Sequence, residues 1–411
     1  MTLPTRLVSA SLFLLVGCSM PMTQPDAGRP GRFDGGVTDR FPVLPAVKAK
    51  KVVVGDGFAC ALTVAGTVRC WGAAGQPKNP VHAYSYVGSS VDYPRVALPI
   101  EVPSLSGVED IDTTYRHVCV VVSGGSVQCW GGNDWSKIGV ELPEDGGTRY
   151  GDALTPIPVG GVSGVTKIAT GDRHTCAVLS SGGVRCWGAD FAGQLLGQST
   201  EFMRSHRPLD MPGISGVTDI AAYGTQTCAI AAGTIKCWGM GPVNGATEAT
   251  APFTVPLTGV TSLGLNRSAS CAAVGGAAKC WGIPDFALLG DGTDTGDLES
   301  RMPVQVFGLT SGVTNVTRQC AVANGVVKCW GRDGRLLGDG TTKPSARPVD
   351  VLTISDAVQV SSNTEVTCAV TSSGQVWCWG DNQHGAVGNG FDIAEVGVRN
   401  YAAPQRVLSF E

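Results

Sequence analysis

The chain is 411 residues long, 43% hydrophobic and 16% charged, with a formal net charge of −4. No basic run and no array of arginines among aromatics interrupts this mild acidity, so the electrostatic footprint of a nucleic-acid binder is absent. With 57 glycines, 24 prolines and no sustained helical periodicity, the short apolar runs between Gly, Ser, Asn and Pro read as strands of an all-β chain.

The first element reads as an export signal. Arg6 precedes an apolar run from Leu7 to Val16, followed by Gly17 and Cys18. A positive charge, an apolar stretch too short to span a bilayer and a small residue before the break describe a secretory signal. Leu15-Val16-Gly17-Cys18 resembles a bacterial lipobox. That resemblance implies a signal peptide over 1–17, lipidation at Cys18, and an exported lipoprotein at the outer membrane or cell surface. Residues 18–42, rich in Pro, Gly and Asp, read as a disordered linker.

From residue 43 onward one phrase recurs seven times. It reads CALTVAGTVRCWG at Cys60 and CAVANGVVKCWG at Cys320, and its first cysteine falls at 60, 119, 176, 228, 271, 320 and 368. Repeats spaced near fifty residues suit one four-stranded blade each, so residues 43–411 read as a seven-bladed β-propeller. The segment from Pro404 to Leu408 is expected to join the blade begun around Val52–Val54 and so latch the ring, because an open sheet edge invites aggregation.

Within each phrase the two cysteines bracket a turn. Midway between Cys320 and Cys329 stand Asn324 and Gly325, a type I′ signal. The same midpoint is Gly275-Gly276 for Cys271 and Cys280, and Ala232-Gly233 for Cys228 and Cys237. Four pairs enclose one more residue: Cys60 with Cys70, Cys119 with Cys129, Cys176 with Cys186, and Cys368 with Cys378. There Gly66, Gly125, Gly182 and Gly374 fall at the αL position of a three-residue loop. Facing cysteines at non-hydrogen-bonded sites are within disulfide reach, so one bridge per blade is expected, in the oxidising space that export supplies. Cys18 is the one cysteine left over. Zinc ligand pairs lie closer together than these cysteines do. The Trp after each second Cys points to the opposite face and is expected to fill the space between blades. Arg69, Gln128, Arg185, Lys236, Lys279, Lys328 and Trp377 share that face, and their stems are expected to cover the indoles.

The phrase resembles the regulator of chromosome condensation repeat in its bacterial, cysteine-bearing form, over residues 43–411. That unit runs G-x-x-H-x-C-A-L, G-x-V, C-W-G, then G-x-L-G-x-G-T. The last part stands as Leu289 to Thr293 and as Leu337 to Thr341, and decays to Val387-Gly388-Asn389-Gly390. The repeat's His is kept at His117 and His174; Phe58, Gln226, Ala269, Arg318 and Val366 replace it elsewhere. The resemblance implies a propeller that serves as a protein-binding platform.

Signals of chemistry are sparse. His82, His117, His174, His206 and His384 show no zinc-ligand spacing, and there is no G-x-S-x-G elbow or phosphate loop. His117 and His174 hold matching positions, and each is expected to bond a neighbouring backbone group. Asp291, Asp294 and Asp297 gather oxygens in one turn, but their spacing is not that of a calcium-binding EF-hand loop. No metal, cofactor or catalysis is expected.

The repeat is interrupted most in its first two units. Their inserts carry Tyr84, Tyr86, Tyr93, Trp135 and Tyr150, with His82. Aromatic side chains on loops held by a rigid scaffold make recognition surfaces, unless they fold down onto the rim. The expected function is therefore a monomeric binding module for a protein or a surface polysaccharide, touching the membrane only through its lipid. Two other readings are a polysaccharide lyase or hydrolase working in the propeller channel and a structural scaffold of an envelope complex.

Overall fold

The computed structural model describes residues 44–73, 95–142, 151–196, 204–241, 252–266, 268–283, 287–293, 300–391 and 397–411. They form seven four-stranded antiparallel sheets, each built from four strands consecutive in the chain. The first strands are Ala49–Gly55, Val108–Thr113, Val165–Thr170, Val217–Tyr223, Val260–Leu265, Val313–Val316 and Ala357–Ser362. All seven line one central cavity, so the chain is an all-β, seven-bladed propeller with the first strand of every blade innermost.

Each cysteine phrase is the hairpin of a blade's second and third strands. The cysteines face each other in register. Seven disulfides form, one per blade, at Cα separations of 4.0–4.2 Å. In the longer hairpins Cys60 is bonded to Cys70, Cys119 to Cys129, Cys176 to Cys186 and Cys368 to Cys378. In the shorter ones Cys228 is bonded to Cys237, Cys271 to Cys280 and Cys320 to Cys329. These are the pairings that the turn spacing predicts. The turns follow the arithmetic of their residues. Asn324 and Gly325 take φ of 52° and 80°, the two positive values that a type I′ turn demands. In the longer loops Gly66, Gly125, Gly182 and Gly374 take φ between 74° and 93°.

The seven repeat tryptophans are wholly buried between blades. A buried indole N–H needs an acceptor, and the preceding blade supplies it from the loop after its third strand. Trp71 donates to Ala386 O at 2.8 Å, Trp187 to Lys137 O at 3.0 Å, and Trp238 to Gln194 O at 3.0 Å. Trp330 donates to Leu288 O at 2.9 Å and Trp379 to Leu336 O at 2.8 Å. In four of these loops a buried apolar residue and then a glycine follow the acceptor. The glycines, Gly139, Gly290, Gly338 and Gly388, have φ of 65–75°. A Cβ on any of them would stand 2.7–3.0 Å from the indole, closer than carbon packs. The Leu-Gly part of the repeat is thus a cup for the next blade's tryptophan. Trp281 is the exception: its N–H is buried with no partner among the described residues.

Closure differs from the expected latch. Asn400–Arg406 pairs with Val376–Asp381 and completes its own blade. The first blade is likewise completed by its own fourth strand, Arg95–Glu101. Pro404 to Leu408 resembles Pro348 to Leu352 because both close the blade they follow. The ends meet instead through a short parallel bridge, Val47 with Phe410. There Val47 N donates to Ser409 O at 3.2 Å and Glu411 N to Val47 O at 3.1 Å. Arg69 donates to Pro45 O and Ser409 O at 2.7 and 3.0 Å. Phe410, buried, lies 5.8 Å from the Trp71 ring.

Three of the five basic residues before the second cysteines face acids on the fourth strand, whereas Lys236 stands opposite Thr254 and Lys279 opposite Gln305. Arg185 Nε lies 2.7 Å from Asp210 and Arg69 Nε 3.7 Å from Glu101, while Lys328 pairs with Asp350. They form cross-strand ion pairs.

Candidate functional site

An innermost strand has one paired edge and one edge turned to the channel, where its N–H groups need acceptors. The third residue of each first strand is polar: Lys51, Asp110, Lys167, Asp219, Ser262, Asn315 and Gln359. Four of them accept the N–H of the fourth residue of the next blade's strand. Ile168 N donates to Asp110 at 3.1 Å, Val316 N to Ser262 at 3.2 Å, Val360 N to Asn315 at 2.9 Å and Val52 N to Gln359 at 2.9 Å. A lysine cannot accept; Lys51 donates to Asp110 at 2.7 Å instead.

The channel carboxylates are consequently perturbed. Burial pushes Asp112 up to about 6, with Lys51 and the Thr170 N–H offsetting only part of the rise. Burial also raises Asp219 against the pull of Lys167 and Lys51. Burial opposes the charge of Lys51, but Asp110, Asp112 and Asp219 together hold its pKa above the ordinary value. The cavity these groups line measures about 210 Å³. Two of its carboxylates, Asp110 and Asp112, bind blade two to blade three.

The two repeat histidines also tie blades together, through hydroxyls rather than the backbone groups expected. His117 Nε2 lies 2.8 Å from Thr175 Oγ1, which itself donates to Lys137 O at 2.8 Å. The threonine proton is therefore committed, and Nε2 must donate. His174 Nε2 lies 2.7 Å from Thr227 Oγ1. Burial lowers His174 to about 3, and burial with Lys137 and His174 nearby drives His117 well below its ordinary value.

The turn between first and second strands and the loop between third and fourth strands leave every blade at the same end. On this face Trp135 sits in the 3₁₀ turn Asp134–Ser136 with φ of 67°, and it is half-buried. Its ring lies 5.5 Å from Phe191 of blade three. The exposed Arg173 covers both rings, at 5.5 and 5.6 Å, a favourable cation–π geometry. Beneath them Lys137 is wholly buried, paired with Asp134 and 5.5 Å from the Tyr115 ring. Burial lowers its pKa against the attraction of Asp134. Beside this cluster, a cavity of about 200 Å³ is lined by Arg173, Phe191, Tyr223, Gln226, Met240 and Asn266, among others.

Of the candidate binding residues, Trp135 is thus placed on this face. Tyr84, Tyr86, Tyr93, Tyr150 and His82 lie outside the described residues, as do Cys18, Asp294 and Asp297. Asp291 accepts from Thr293 N and Oγ1 at 2.9 and 2.7 Å, closing a turn that Asp339 and Thr341 repeat. Among the described residues no group of three or more His, Cys, Asp or Glu is arranged to hold a metal.

Sequence reasoning missed Arg173, Phe191, Gln226 and Asn266. One signal was available. First strand and first cysteine keep a constant spacing, as in Val260 to Cys271 and Ala357 to Cys368, but Val313 to Cys320 is four residues shorter.

With this geometry in hand, comparison with known proteins is specific for the fold. The regulator of chromosome condensation (RCC1) repeat matches residues 165–194 and 357–386. The ultraviolet-B receptor UVR8 of Arabidopsis thaliana is 28% identical over 204 residues, 48% of this chain and 42% of the receptor. The probable E3 ubiquitin-protein ligase HERC4 of Mus musculus is 26% identical over 222 residues, 52% of this chain and 20% of the ligase. The chain therefore spans less than half the length of either relative. Human WBSCR16 superposes with a TM-score of 0.67 at 18% identity, covering 83% of this chain and 93% of that one. Prp20p of Saccharomyces cerevisiae, described with its binding to Gsp1p and histones, superposes with a TM-score of 0.51 at 18% identity, covering 87% and 76%. The chain is a seven-bladed propeller, similar in fold to these proteins, that carries the regulator of chromosome condensation repeat at residues 165–194 and 357–386.

Proposed function

We propose that this propeller is the protein-binding platform of an exported lipoprotein, and that the face formed by blades two to four is where the partner docks. The observation that carries the reading is the Trp135–Arg173–Phe191 cluster. Tryptophan and arginine are the side chains that most often anchor interfaces, and here a buried lysine and a packed turn hold them in place. Prp20p, a solved structure of the same fold described with its binding to Gsp1p, histones and Kap60, supports the same reading. A photo-crosslinking amino acid at Trp135, introduced in the native host, should yield one discrete covalent adduct. The same probe at Val64, exposed on the opposite face, should yield none. Equal labelling from both positions would remove the assignment of the face.

The lipobox and the linker that follows it support a tether at Cys18. Cys18→Ser should move the protein from the membrane fraction to the soluble fraction; retention in membranes would defeat the anchor.

A second reading, polysaccharide cleavage in the channel, has one observation behind it: Asp110, Asp112 and Asp219 converge on one cavity. Asp110 and Asp112 are each held by a backbone N–H of blade three, and 210 Å³ is small for a sugar chain. The platform reading is the better supported.

A further inference from the structure

We propose that the cavity beside this cluster is a carboxylate-binding site that takes an Asp or Glu side chain, or a chain-terminal carboxylate, of the docked protein. The inference rests on the platform reading and deepens it.

Two residues lining that cavity carry buried amide donors with no partner among the described residues, and each has a traceable origin. In blade seven Asn363 accepts from Glu365 N and Val366 N, both at 2.8 Å, and its amide NH₂ donates to Gly55 O of blade one. Asn266 is the matching residue of blade five. Its Oδ1 likewise accepts from Ser268 N at 2.6 Å and Ala269 N at 3.2 Å, which fixes the amide orientation. Its NH₂ should then reach the next blade. Blade six lacks those residues, because the tight turn Thr317 to Gln319 replaces the longer hairpin. Asn266 Nδ2 is left buried and unpaired among the described residues.

Gln226 stands where His174 stands one blade earlier. Its Oε1 lies 3.5 Å from Ser270 Oγ, as His174 faces Thr227. Its Nε2 is buried and unpaired as well, again among the described residues. Both amides line the same cavity, which Arg173 borders and Phe191, Tyr223 and Met240 wall with apolar surface.

Leaving a buried donor unpaired is costly, because the group has given up water and gained nothing in return, a cost that a bound acceptor removes. A carboxylate suits the site because it only accepts, and does so at several lone pairs. Its charge strengthens each bond, and the guanidinium can add a further one. A neutral glycan brings hydroxyl donors that two amide NH₂ groups and an arginine cannot accept. Asp172 also lines the cavity, with a partner of its own, and confines the ligand's charge to the amide side.

The test uses arrays of random twelve-residue peptides, printed with free and with amidated C-termini and probed with the full chain. Bound peptides should be enriched in Asp or Glu, or should require the free terminus. Asn266→Asp, which keeps the capping oxygen, and Gln226→Glu should each weaken binding at least tenfold. Arg173 is exposed, so Arg173→Gln leaves folding intact and should weaken binding several-fold. Peptides without acidic bias, or equal binding by Asn266→Asp and Arg173→Gln, would overturn the carboxylate site and leave the platform standing. Binding of a neutral glucan such as dextran with no peptide bound would overturn both, as would no binding at all.

Discussion

Replacing Trp379 with alanine should destabilise the propeller by about 3–5 kcal/mol, the usual cost of emptying a large buried aromatic site. The sharper comparison substitutes phenylalanine at successive blades. Trp379→Phe and Trp330→Phe each strand a buried carbonyl, Leu336 O and Leu288 O, that had accepted an indole N–H. An abandoned buried acceptor costs about 1–3 kcal/mol on top of the lost volume. Trp281 is equally buried, but its N–H has no partner among the described residues, so Trp281→Phe loses packing alone. In urea, with disulfides intact, the first two variants should be less stable than the third by about 1–2 kcal/mol. Equal costs at all three positions would mean that the indole bonds contribute nothing. This indole, without a partner among the described residues, lies at the seam of blades four and five, whose residues also line the proposed carboxylate cavity. The local rules of the repeat fail twice in one neighbourhood, and such failures cluster where a surface is shaped for function.

The ring itself was legible because its signals are local. Cysteine spacing, turn glycines and the following tryptophan all act within a dozen residues, and each took the geometry its residues imply. The ten-residue step from Cys60 to Cys70 and the nine-residue step from Cys320 to Cys329 each chose their own turn. Closure was not legible. The likeness of Pro404–Leu408 to Pro348–Leu352 was real, but a likeness between fourth strands cannot say which sheet a strand joins. The latch depends on Arg69 and Phe410, which are far apart in sequence and carry no motif. The binding face was half legible. Trp135 stood out as an aromatic residue in an insert, whereas Asn266 and Gln226 look like ordinary turn and strand residues. Their importance comes from what blade six lacks, and a missing acceptor is visible only when neighbouring blades are set side by side.

The buried histidines give the largest expected response to pH. His174 titrates near 3 in the folded chain, against an ordinary value near 6.5. Above pH 6.5 it is neutral whether folded or unfolded and has no influence on stability. Below that value the unfolded chain takes up a proton that the folded chain refuses, so stability falls as pH falls, by about 1.4 kcal/mol per unit down to about pH 3. His117, lowered in the same direction, adds a second loss of the same sign. The raised carboxylates Asp112 and Asp219 work the other way, since the folded chain binds their protons first. A difference between two proteins therefore isolates the histidine better than one acid melt. His174→Gln borrows the residue that blade four already uses at this position, Gln226, and removes the titrating group. Relative to the parent, the variant should gain about 3 kcal/mol between pH 7 and pH 4, whatever packing it loses at neutral pH. A difference that stays flat across that range would mean that His174 is not held neutral by the seam. The physical reason for the expected gain lies in the hydroxyl at 2.7 Å. It satisfies a neutral imidazole nitrogen, while burial alone sets the ring's titration and no attraction to a carboxylate offsets it.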